Sequence, residues 1–341
     1  MTAGSRSLTP PLTHNARLLD DAFAVEALPK RSIGAHKWGV GGLVIIGGGP
    51  GFIGAPALCA MAANRAGAGI ITMAVPRSAM PAIATLVPEA VYIPMPEGDA
   101  QTVAKRAVEL IAPKLEKSRA VVVGPGLGDD EYADAFLSLL FGIQSVHSRA
   151  QMGFAAPAKA MPAAAGTPRI IGGEKPAVVD ADALNWLAKQ PEWWNIVPAG
   201  TLVLTPHVGE MSRLLGRPAD AIIADPAGAA IEAATRWRQV VVLKYGYSVV
   251  TDGAAVLVAD DAPTSLATAG TGDVLAGTIG AFLAQGLAPL QAAGLALYAG
   301  ARGARRVEQR VGTLGLVASD LPIAIAETLC WLERQRGSQH G

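Results

Sequence analysis

Cysteine, aromatic residues and net charge are all scarce in this chain of 341 residues. Neither of its two cysteines, Cys59 and Cys330, has a metal-ligating neighbour at short spacing, so we expect both to be reduced. Acidic and basic residues number 28 each, which argues against the basic surface that binding to nucleic acid or to a membrane surface needs. No apolar run is long enough to span a bilayer, and no secretory signal opens the chain. We therefore expect a cytoplasmic protein.

Apolar residues are abundant, at 51% of the chain, and short apolar runs alternate with helical patterns. Runs of strand length, such as 42–47 and 120–123, are apolar throughout. Such strands are typical of a parallel sheet that helices cover on both faces. The sequence therefore predicts an α/β fold with a mostly parallel central sheet. We expect an N-terminal arm at 1–35, with a short helix near 15–24, and one domain at 36–341.

Glycine-rich or polar clusters follow the predicted strands, at 47–54, 124–128, 180–182, 205–210 and 244–248. Because the carboxyl ends of parallel strands lie along one edge, these clusters are expected to converge there. Residues 49–54 also match the dinucleotide fingerprint G-x-G-x-x-G. Pro76 and Arg77 stand where that motif needs an acidic residue for the ribose. A Rossmann oxidoreductase remains an alternative, since Arg77 could meet a 2′-phosphate.

The stretch 267–277, Ala-Thr-Ala-Gly-Thr-Gly-Asp-Val-Leu-Ala-Gly, opens a helix predicted at 272–285. Its glycines let backbone N–H groups turn towards one point, and the helix start adds unpaired N–H groups and a positive dipole end. Together they predict an anion site built from Ala269, Gly270, Thr271 and Gly272. Asp273 would take the proton of a hydroxyl that attacks a terminal phosphate. The alternative is a simple helix cap.

The stretch 267–277 closely resembles the anion hole and catalytic aspartate of the ribokinase-like superfamily. Within it, the chain most resembles the ADP/ATP-dependent NAD(P)H-hydrate dehydratases. Residues 47–55 and 65–69 resemble the glycine-rich segments of that family, with Gly49 in place of a serine, and 124–128 resemble its Gly-Pro-Gly-Leu-Gly loop. The resemblance covers about 36–141 and 176–330. It implies a ribokinase-like fold and a stand-alone dehydratase, without the epimerase domain that is often fused to such enzymes.

The resemblance also implies the ligands of particular residues. Hydrated NADH or NADPH would contact Asp273 and a further set, Ala55, Gly126, Gly128 and His207. ADP or ATP would contact Gly272 and the loop Lys244, Tyr245, Gly246, Tyr247 and Ser248, whose glycine is displaced by one position from the family pattern. We expect Mg²⁺ to bind through phosphate and water without a protein cage. Asp180 and Asp182 would have a structural or metal-water role.

The implied reaction is a dehydration of hydrated NADH or NADPH, in which the C6 hydroxyl is phosphorylated and phosphate is then eliminated. A kinase of the same fold that acts on a vitamin-precursor alcohol remains open, and it would leave a stable phosphoester. A catalytically silent binding protein is also open, because of the altered 244–248 loop, Tyr298-Ala299 in place of a family His-Gly pair, and an insertion at about 142–175. That proline-rich insertion has no sustained period, and we expect it on the surface, partly disordered or facing another subunit of a homo-oligomer.

Overall fold

The computed structural model describes residues 16–49, 51–144, 161–162 and 170–338. Within these ranges, ten strands form one sheet in the order β1-β12-β11-β10-β9-β8-β5-β2-β3-β4, and β6 and β7 form a separate antiparallel pair. The strands are β1 Arg17–Leu19, β2 Gly42–Ile46, β3 Ile70–Pro76, β4 Val91–Met95, β5 Ala120–Val123, β6 Ile143–Gln144, β7 Met161–Pro162, β8 Ala177–Val179, β9 Leu202–Leu204, β10 Val240–Leu243, β11 Val249–Thr251 and β12 Val256–Ala259. In the large sheet, neighbouring strands are parallel except for the two pairs that include β11.

Helices cover both faces of the sheet. They are α1 Asp21–Ala27, α2 Lys37–Val40, α3 Gly54–Arg65, α4 Met80–Leu86, α5 Ala100–Lys117, α6 Glu131–Phe141, α7 Asp182–Ala188, α8 Val208–Leu215, α9 Ala219–Ala224, α10 Pro226–Trp237, α11 Thr271–Ala284, α12 Pro289–Val311 and α13 Leu321–Ser338. Along β2, Val44 and Ile46 belong to the core layer that contains residues of α5, α6 and α10, whereas Leu43 and Ile45 belong to the layer that contains residues of α3, α11 and α12. Two apolar layers on one sheet explain the continuous apolar strands, and they confirm the predicted fold class. None of the described helices has the length and apolar character that crossing a membrane needs.

The N-terminal arm contributes a strand and a helix to this sheet. Strand β1 pairs in parallel with β12, and Leu19 and Phe23 are buried. The helix begins at Asp21, later than predicted, because the Asp20 side chain caps it by accepting from the Phe23 N–H at 2.8 Å. Residues 17–27 therefore lie against the domain and do not extend away from it.

The predicted insertion at 142–175 is anchored at both ends. Ile143 and Ile171 are fully buried in the core layer that contains α5 and α6. The Lys175 ammonium donates to the carbonyls of Leu115 and Glu116 near the end of α5. Apart from β7, residues 145–169 lie outside the described ranges. The two ends of the segment thus belong to the packed domain, and the surface prediction concerns the residues between them.

Helices α3 and α11 approach each other closely enough to bring their backbones into contact. A Cβ placed on Gly277 of α11 would collide with the carbonyl group of Cys59 on α3. The sequence of α11 is rich in alanine and glycine, and most of its residues are buried. Small residues permit this approach, since larger side chains would hold the two helices apart. Both helices begin at the same edge of the sheet, where the glycine-rich loops lie.

Candidate active site

The predicted clusters do converge on one edge of the sheet. Strands β2, β5, β8, β9 and β10 are parallel, and the clusters follow their carboxyl ends. The N-terminus of α11 reaches the same edge. A Cβ placed on its Gly272 would lie 3.3 Å from the Lys244 Nζ. The residues predicted for the anion site therefore lie beside the loop predicted to bind nucleotide.

The loop before α11 is held in place by its own hydroxyl groups. The Thr271 hydroxyl donates to the carbonyls of Leu266 at 2.8 Å and Thr268 at 3.0 Å. Gly270 is the N-cap residue, and its φ of 89° is a left-handed conformation that favours glycine. No side chain caps this described helix, so the first-turn N–H groups lack the usual side-chain acceptor. The loop is better suited to an anion than to the role of a simple helix cap.

Asp273 lies in the first turn of α11, next to this loop. Burial, together with the charges of Asp180 and Asp182, raises the pKa of its carboxyl to about 7 against the opposing effect of Lys244. A carboxyl with a pKa near neutrality gains and loses protons readily at physiological pH. Asp273 is therefore suited to accept a proton from a hydroxyl beside the anion loop.

Lys244 forms an ion pair with Asp180, which is 2% exposed. The Lys244 Nζ lies 2.9 Å from the Asp180 Oδ1, which also accepts from the Thr205 hydroxyl at 2.6 Å. Burial opposes the charge on Lys244, but Asp180 and Glu210 outweigh it and raise the lysine pKa. Lys244 thus stays protonated, with its side chain 21% exposed, between the anion loop and the ion pair. Sequence reasoning identified Lys244, but it did not indicate that the Thr205 hydroxyl donates a hydrogen bond to Asp180, the ion-pair partner of Lys244.

His207 caps helix α8 and faces the same edge. Its ring Nδ1 accepts from the backbone N–H groups of Gly209 at 2.9 Å and Glu210 at 3.2 Å. In return, the Glu210 carboxylate accepts from the backbone N–H of His207 at 2.8 Å. Because Nδ1 is an acceptor, the neutral ring carries its proton on Nε2. Burial and the charges of Lys244 and Arg213 lower the pKa of His207. His207 is therefore a neutral donor, and its side chain is 55% exposed.

Glu210 is a functional candidate that sequence reasoning did not assign. It is 5% exposed, and burial raises the pKa of its carboxyl to about 7. With His207 it forms a capping box, in which each residue satisfies an N–H of the other. A glutamate three residues after the cap is the sequence signal that would have indicated this role. The backbone N–H groups of Gly209 and Glu210 fix the orientation of the His207 ring, and the Glu210 Oε1 lies 3.6 Å from its Nε2.

The residues predicted to contact the substrate meet at the ends of β2 and β5. Gly126 has a φ of 66°, and a Cβ placed on it would lie 2.6 Å from the Phe52 carbonyl oxygen and 3.3 Å from the Ala55 Cβ. The Gly128 N–H donates to the Asp182 carboxylate at 2.8 Å. Ala55, Gly126 and Gly128 thus line one side of the edge, and Asp182 has a structural role in holding their loop.

A cavity of about 460 Å³ lies on the other side of Asp273. We call it the donor cavity; it is lined by the loop after β10, by residues 259–267 and by helix α12, with Lys244, Tyr245, Gly246 and Ser248 among the lining residues. Tyr247 does not reach it, because its side chain packs on the core instead. Arg305 of α12 fixes the cavity wall through two hydrogen bonds to the Asp261 carboxylate, at 2.7 Å and 2.8 Å.

The edge offers carboxylates but no complete set of metal ligands. Asp180 is bonded to Lys244 and Thr205, and Asp182 to the Gly128 N–H. Across the described ranges, no three His, Cys, Asp or Glu side chains are grouped to hold a metal ion.

Comparison with known proteins assigns the family. The NAD(P)H-hydrate dehydratase family model, Carb_kinase, matches residues 43–146 and 167–327. The bifunctional NAD(P)H-hydrate repair enzyme Nnr of Moorella thermoacetica is 36% identical over 311 residues, which are 90% of this chain and 52% of that protein. The corresponding enzyme of Salinibacter ruber is 35% identical over 315 residues, again 90% of this chain and 52% of that protein. The chain spans about half the length of the curated relatives it matches.

Solved structures show the same fold. The ADP/ATP-dependent NAD(P)H-hydrate dehydratase of Bacillus subtilis, co-crystallised with ATP/Mg²⁺, is similar with a TM-score of 0.71 and 23% identity, over 95% of this chain and 99% of that one. A ribokinase-like superfamily protein of Enterococcus faecalis has a TM-score of 0.73 at 20% identity, over 94% of this chain and 97% of that one. The predicted ribokinase-like fold is confirmed. With most of its length matched by the family model, the chain belongs to the NAD(P)H-hydrate dehydratase family.

Proposed function

We propose that the protein catalyses the ADP- or ATP-dependent dehydration of hydrated NADH and NADPH, which repairs these nucleotides. The observation that carries the proposal is the position of Asp273. Its carboxyl, with a pKa of about 7, adjoins an uncapped helix N-terminus and the Lys244 ammonium. A proton acceptor beside an anion site is the arrangement that phosphoryl transfer to a hydroxyl requires. Family membership supports the same reaction.

In the first step, the C6 hydroxyl oxygen attacks the terminal phosphorus of ADP or ATP. Asp273 accepts the hydroxyl proton as the new O–P bond forms and the bond from phosphorus to the nucleotide oxygen breaks. The backbone N–H groups of 269–272 and the charge on Lys244 stabilise the transferring phosphoryl group. His207 donates from Nε2 to the hydrated nicotinamide nucleotide and so orients it.

In the second step, phosphate leaves and the dihydropyridine ring is restored. The lone pair of the ring nitrogen forms a double bond to C6 as the C6–O bond breaks, and phosphate departs with that electron pair. Loss of a proton from C5 then gives the C5–C6 double bond of the reduced nicotinamide. The chain's own contribution to this step is to bind the departing phosphate at the 269–272 loop.

ADP or ATP is proposed to bind in the donor cavity, with its terminal phosphate towards Gly272 and Lys244. The predicted contacts of Tyr245, Gly246 and Ser248 fit this position, since all three line the cavity. Mg²⁺ is expected to bind at this edge as a complex with the nucleotide phosphates and water. When bound, the ion would neutralise phosphate charge, while Asp273 would remain the proton acceptor.

We also infer a cytoplasmic location, because Cys59 and Cys330 are free thiols in the structure. Labelling both thiols in freshly prepared extract, before and after reduction, tests this inference. A homo-oligomer stays a prediction, and sedimentation velocity on the full chain measures it.

The reaction is tested with hydrated NADH and either ADP or ATP. We expect absorbance at about 340 nm to return as inorganic phosphate is released in equal amount, since the reduced cofactor alone absorbs there. A kinase of a vitamin-precursor alcohol would instead accumulate a stable phosphoester of that alcohol. Nucleotide consumption without recovery of absorbance would refute the proposed dehydration.

A further inference from the structure

A second cavity, of about 200 Å³, lies at the same edge of the sheet, across β5 and β2 from Asp180. We call it the outer cavity. Its lining comes from the ends of β2, β3 and β4 and from the start of α6, and includes Gly48, Leu127, Tyr132, Glu97 and Asp130. The donor cavity lies beyond β10, on the opposite side of Asp273. The reaction described above leaves the outer cavity without an occupant.

We propose that the outer cavity binds the adenosine half of the dinucleotide substrate and that Glu97 and Asp130 select hydrated NADH over hydrated NADPH. This inference rests on the proposed function, because it assigns the far end of the substrate whose nicotinamide end lies at Asp273. A dinucleotide has two nucleosides joined through a pyrophosphate, so it needs two separate sites with a passage between them.

The passage between the two sites has a floor of backbone. From Asp180 at the end of β8 to the end of β3 there are three strand spacings, or about 14 Å. Between them the loops after β2 and β5 touch, since a Cβ placed on Gly49 would lie 3.0 Å from the carbonyl oxygens of both Gly126 and Leu127. Because Gly49 has no Cβ, these two loops can meet, and the floor of the passage between the two sites is main chain.

The walls of the outer cavity suit a nucleoside. The ring of Tyr132 is stacked on Phe136, with 5.5 Å between centroids and 8° between planes, so its position is fixed. Leu127, Pro76 and Met95 add apolar surface around it. Burial, with the nearby charges of Asp130 and Glu97, raises the pKa of Tyr132, which therefore remains neutral. A neutral aromatic ring among apolar side chains is a common setting for a planar base.

Two carboxylates lie at the rim of this cavity, and both are fixed by hydrogen bonds. Glu97 accepts from the Ser78 hydroxyl at 2.6 Å and from the Ser78 N–H at 3.2 Å. Asp130 caps α6 by accepting from the Ala133 N–H at 2.8 Å. Carboxylates accept hydrogen bonds from the ribose 2′-hydroxyl of NADH but repel the 2′-phosphate of NADPH. Arg77, which might have paired with that phosphate, does not line the cavity.

The test measures binding without turnover. Calorimetric titration of the full chain with NADH and with NADPH, which share their adenosine halves with the hydrates, should give a Kd at least about tenfold lower for NADH. Glu97→Gln should reduce this ratio about fivefold, mainly by tightening NADPH, since it removes one negative charge. Glu89→Gln is the matched control, because Glu89 is exposed before β4 and outside the cavity. Asp130→Asn, which still caps α6, should act like Glu97→Gln.

Equal affinities of the unaltered protein for NADH and NADPH would overturn the proposal, as would equal changes in Glu97→Gln and Glu89→Gln. Turnover of both hydrates separates this inference from the proposed reaction. Dehydration with equal kcat/KM for the two hydrates would refute the selectivity and keep the reaction. Binding with the expected preference but no dehydration would refute the reaction and keep the binding site.

Discussion

The two sides of Asp273 are built in different ways. On the donor side, antiparallel strand β11 separates β10 from β12, and charged side chains fix the loops through the pairs Lys244–Asp180 and Arg305–Asp261. On the acceptor side, strands β2 to β5 are all parallel, and backbone contacts between glycine-containing loops fix the site. The donor side therefore depends on charge, and the acceptor side depends on the absence of side chains.

This difference matches the ligands that we propose for each side. The terminal phosphate of a polyphosphate is small and strongly charged, so a single ammonium group held in place is enough to attract it. A hydrated dinucleotide is larger and its reacting nicotinamide end carries no phosphate, so the site must first leave room for it. Substitutions that remove charge should therefore impair the donor side, and substitutions that add one Cβ should impair the acceptor side.

The largest effect is expected at Asp273, which both sides share. Asp273→Asn should lower kcat about 10²–10⁴-fold, because the amide cannot accept the hydroxyl proton. Nucleotide binding should persist, since the variant removes a negative charge near the phosphates. Asp220→Asn, an exposed change in the first turn of α9, is the control and should leave kcat unchanged. A fully active Asp273→Asn protein that melts like its parent would contradict the mechanism.

Lys244→Ala should weaken nucleotide binding on the donor side and have little effect on substrate binding on the acceptor side. Loss of the ammonium should weaken ADP or ATP binding about tenfold or more, with a smaller effect on the hydrated dinucleotide. It should also cost about 2–3 kcal/mol of unfolding free energy, because Asp180 is left buried without its partner. Adding Asp180→Asn should restore much of the stability but none of the nucleotide affinity. Calorimetry and denaturant unfolding of the parent and of both variants give the comparison, and equal losses for both ligands would remove Lys244 from the nucleotide site.

Gly126→Ala should weaken binding of the hydrate on the acceptor side and leave nucleotide binding on the donor side unchanged. The added Cβ would meet the Phe52 carbonyl, and the φ of 66° is unfavourable for alanine. We expect KM for the hydrate to rise about tenfold while nucleotide affinity is kept, since a small displacement of reacting groups has a large effect. Gly200→Ala, at a φ of 72° with no atom within 4 Å of the new Cβ, reproduces the strain without the collision. If both variants raise KM equally, the contact with Phe52 is not responsible.

The carboxyls of Asp273 and Glu210 should make activity rise and unfolding free energy fall as the pH increases. With the Asp273 pKa at about 7, kcat/KM should rise with pH through 7 and level off above it. Asp273 and Glu210 both have folded pKa values of about 7, above their unfolded values, so the folded state binds more protons between pH 4 and 7. Unfolding free energy should therefore fall as pH rises through that range.

In Asp273→Asn, the part of this fall in unfolding free energy that comes from the Asp273 carboxyl should be absent. At pH 8 the variant should exceed its parent by about 1 kcal/mol, with little difference at pH 4. Urea unfolding at both pH values measures this. A variant that is less stable than its parent at pH 8 would show that the carboxylate is stabilised at this position.

The smallest effect is expected at Arg305, on the wall of the donor cavity. Arg305→Lys cannot keep both hydrogen bonds to Asp261, so nucleotide binding should weaken about threefold with kcat unchanged. Arg310→Lys, an exposed change on the same helix, should have no effect. Similar binding by both variants would mean that Asp261 does not need the arginine to form the wall.

Local pattern was sufficient to predict much of the fold. Helix α11 begins one residue before the predicted start and ends one residue before the predicted end, because apolar periodicity is a local property. Strand β1 was harder, since its three residues lie within the helix predicted near 15–24 and pair with β12 far along the chain. Edge pairing of this kind is set by tertiary packing, and a short segment does not encode it alone.

The positions of the candidate residues at this edge were predictable where a motif lies on a loop, and less so where distant residues pair. Asp273, His207 and Gly126 follow from local sequence, but the Lys244–Asp180 pair joins residues 64 positions apart. Tyr247 was predicted with its loop neighbours, yet alternation along the chain turns its side chain towards the core. The outer cavity combines residues of the glycine-rich segments after β2 and β5 with residues of β3, β4 and α6 that belong to no recognised motif.

The contact between Gly277 and Cys59 also determines what the site can reject. From that contact, α11 runs back about 9 Å to Thr271, and α3 runs back about 7.5 Å to Gly54. The loops on either side of the reacting atoms thus precede two helices that contact each other, so these loops cannot separate as two domains would. An alcohol whose hydroxyl lies one bond nearer or farther would occupy the acceptor side but would not be phosphorylated. The fidelity of repair, and the protection of ATP from other alcohols in the cell, would then be a property of two small residues in the core.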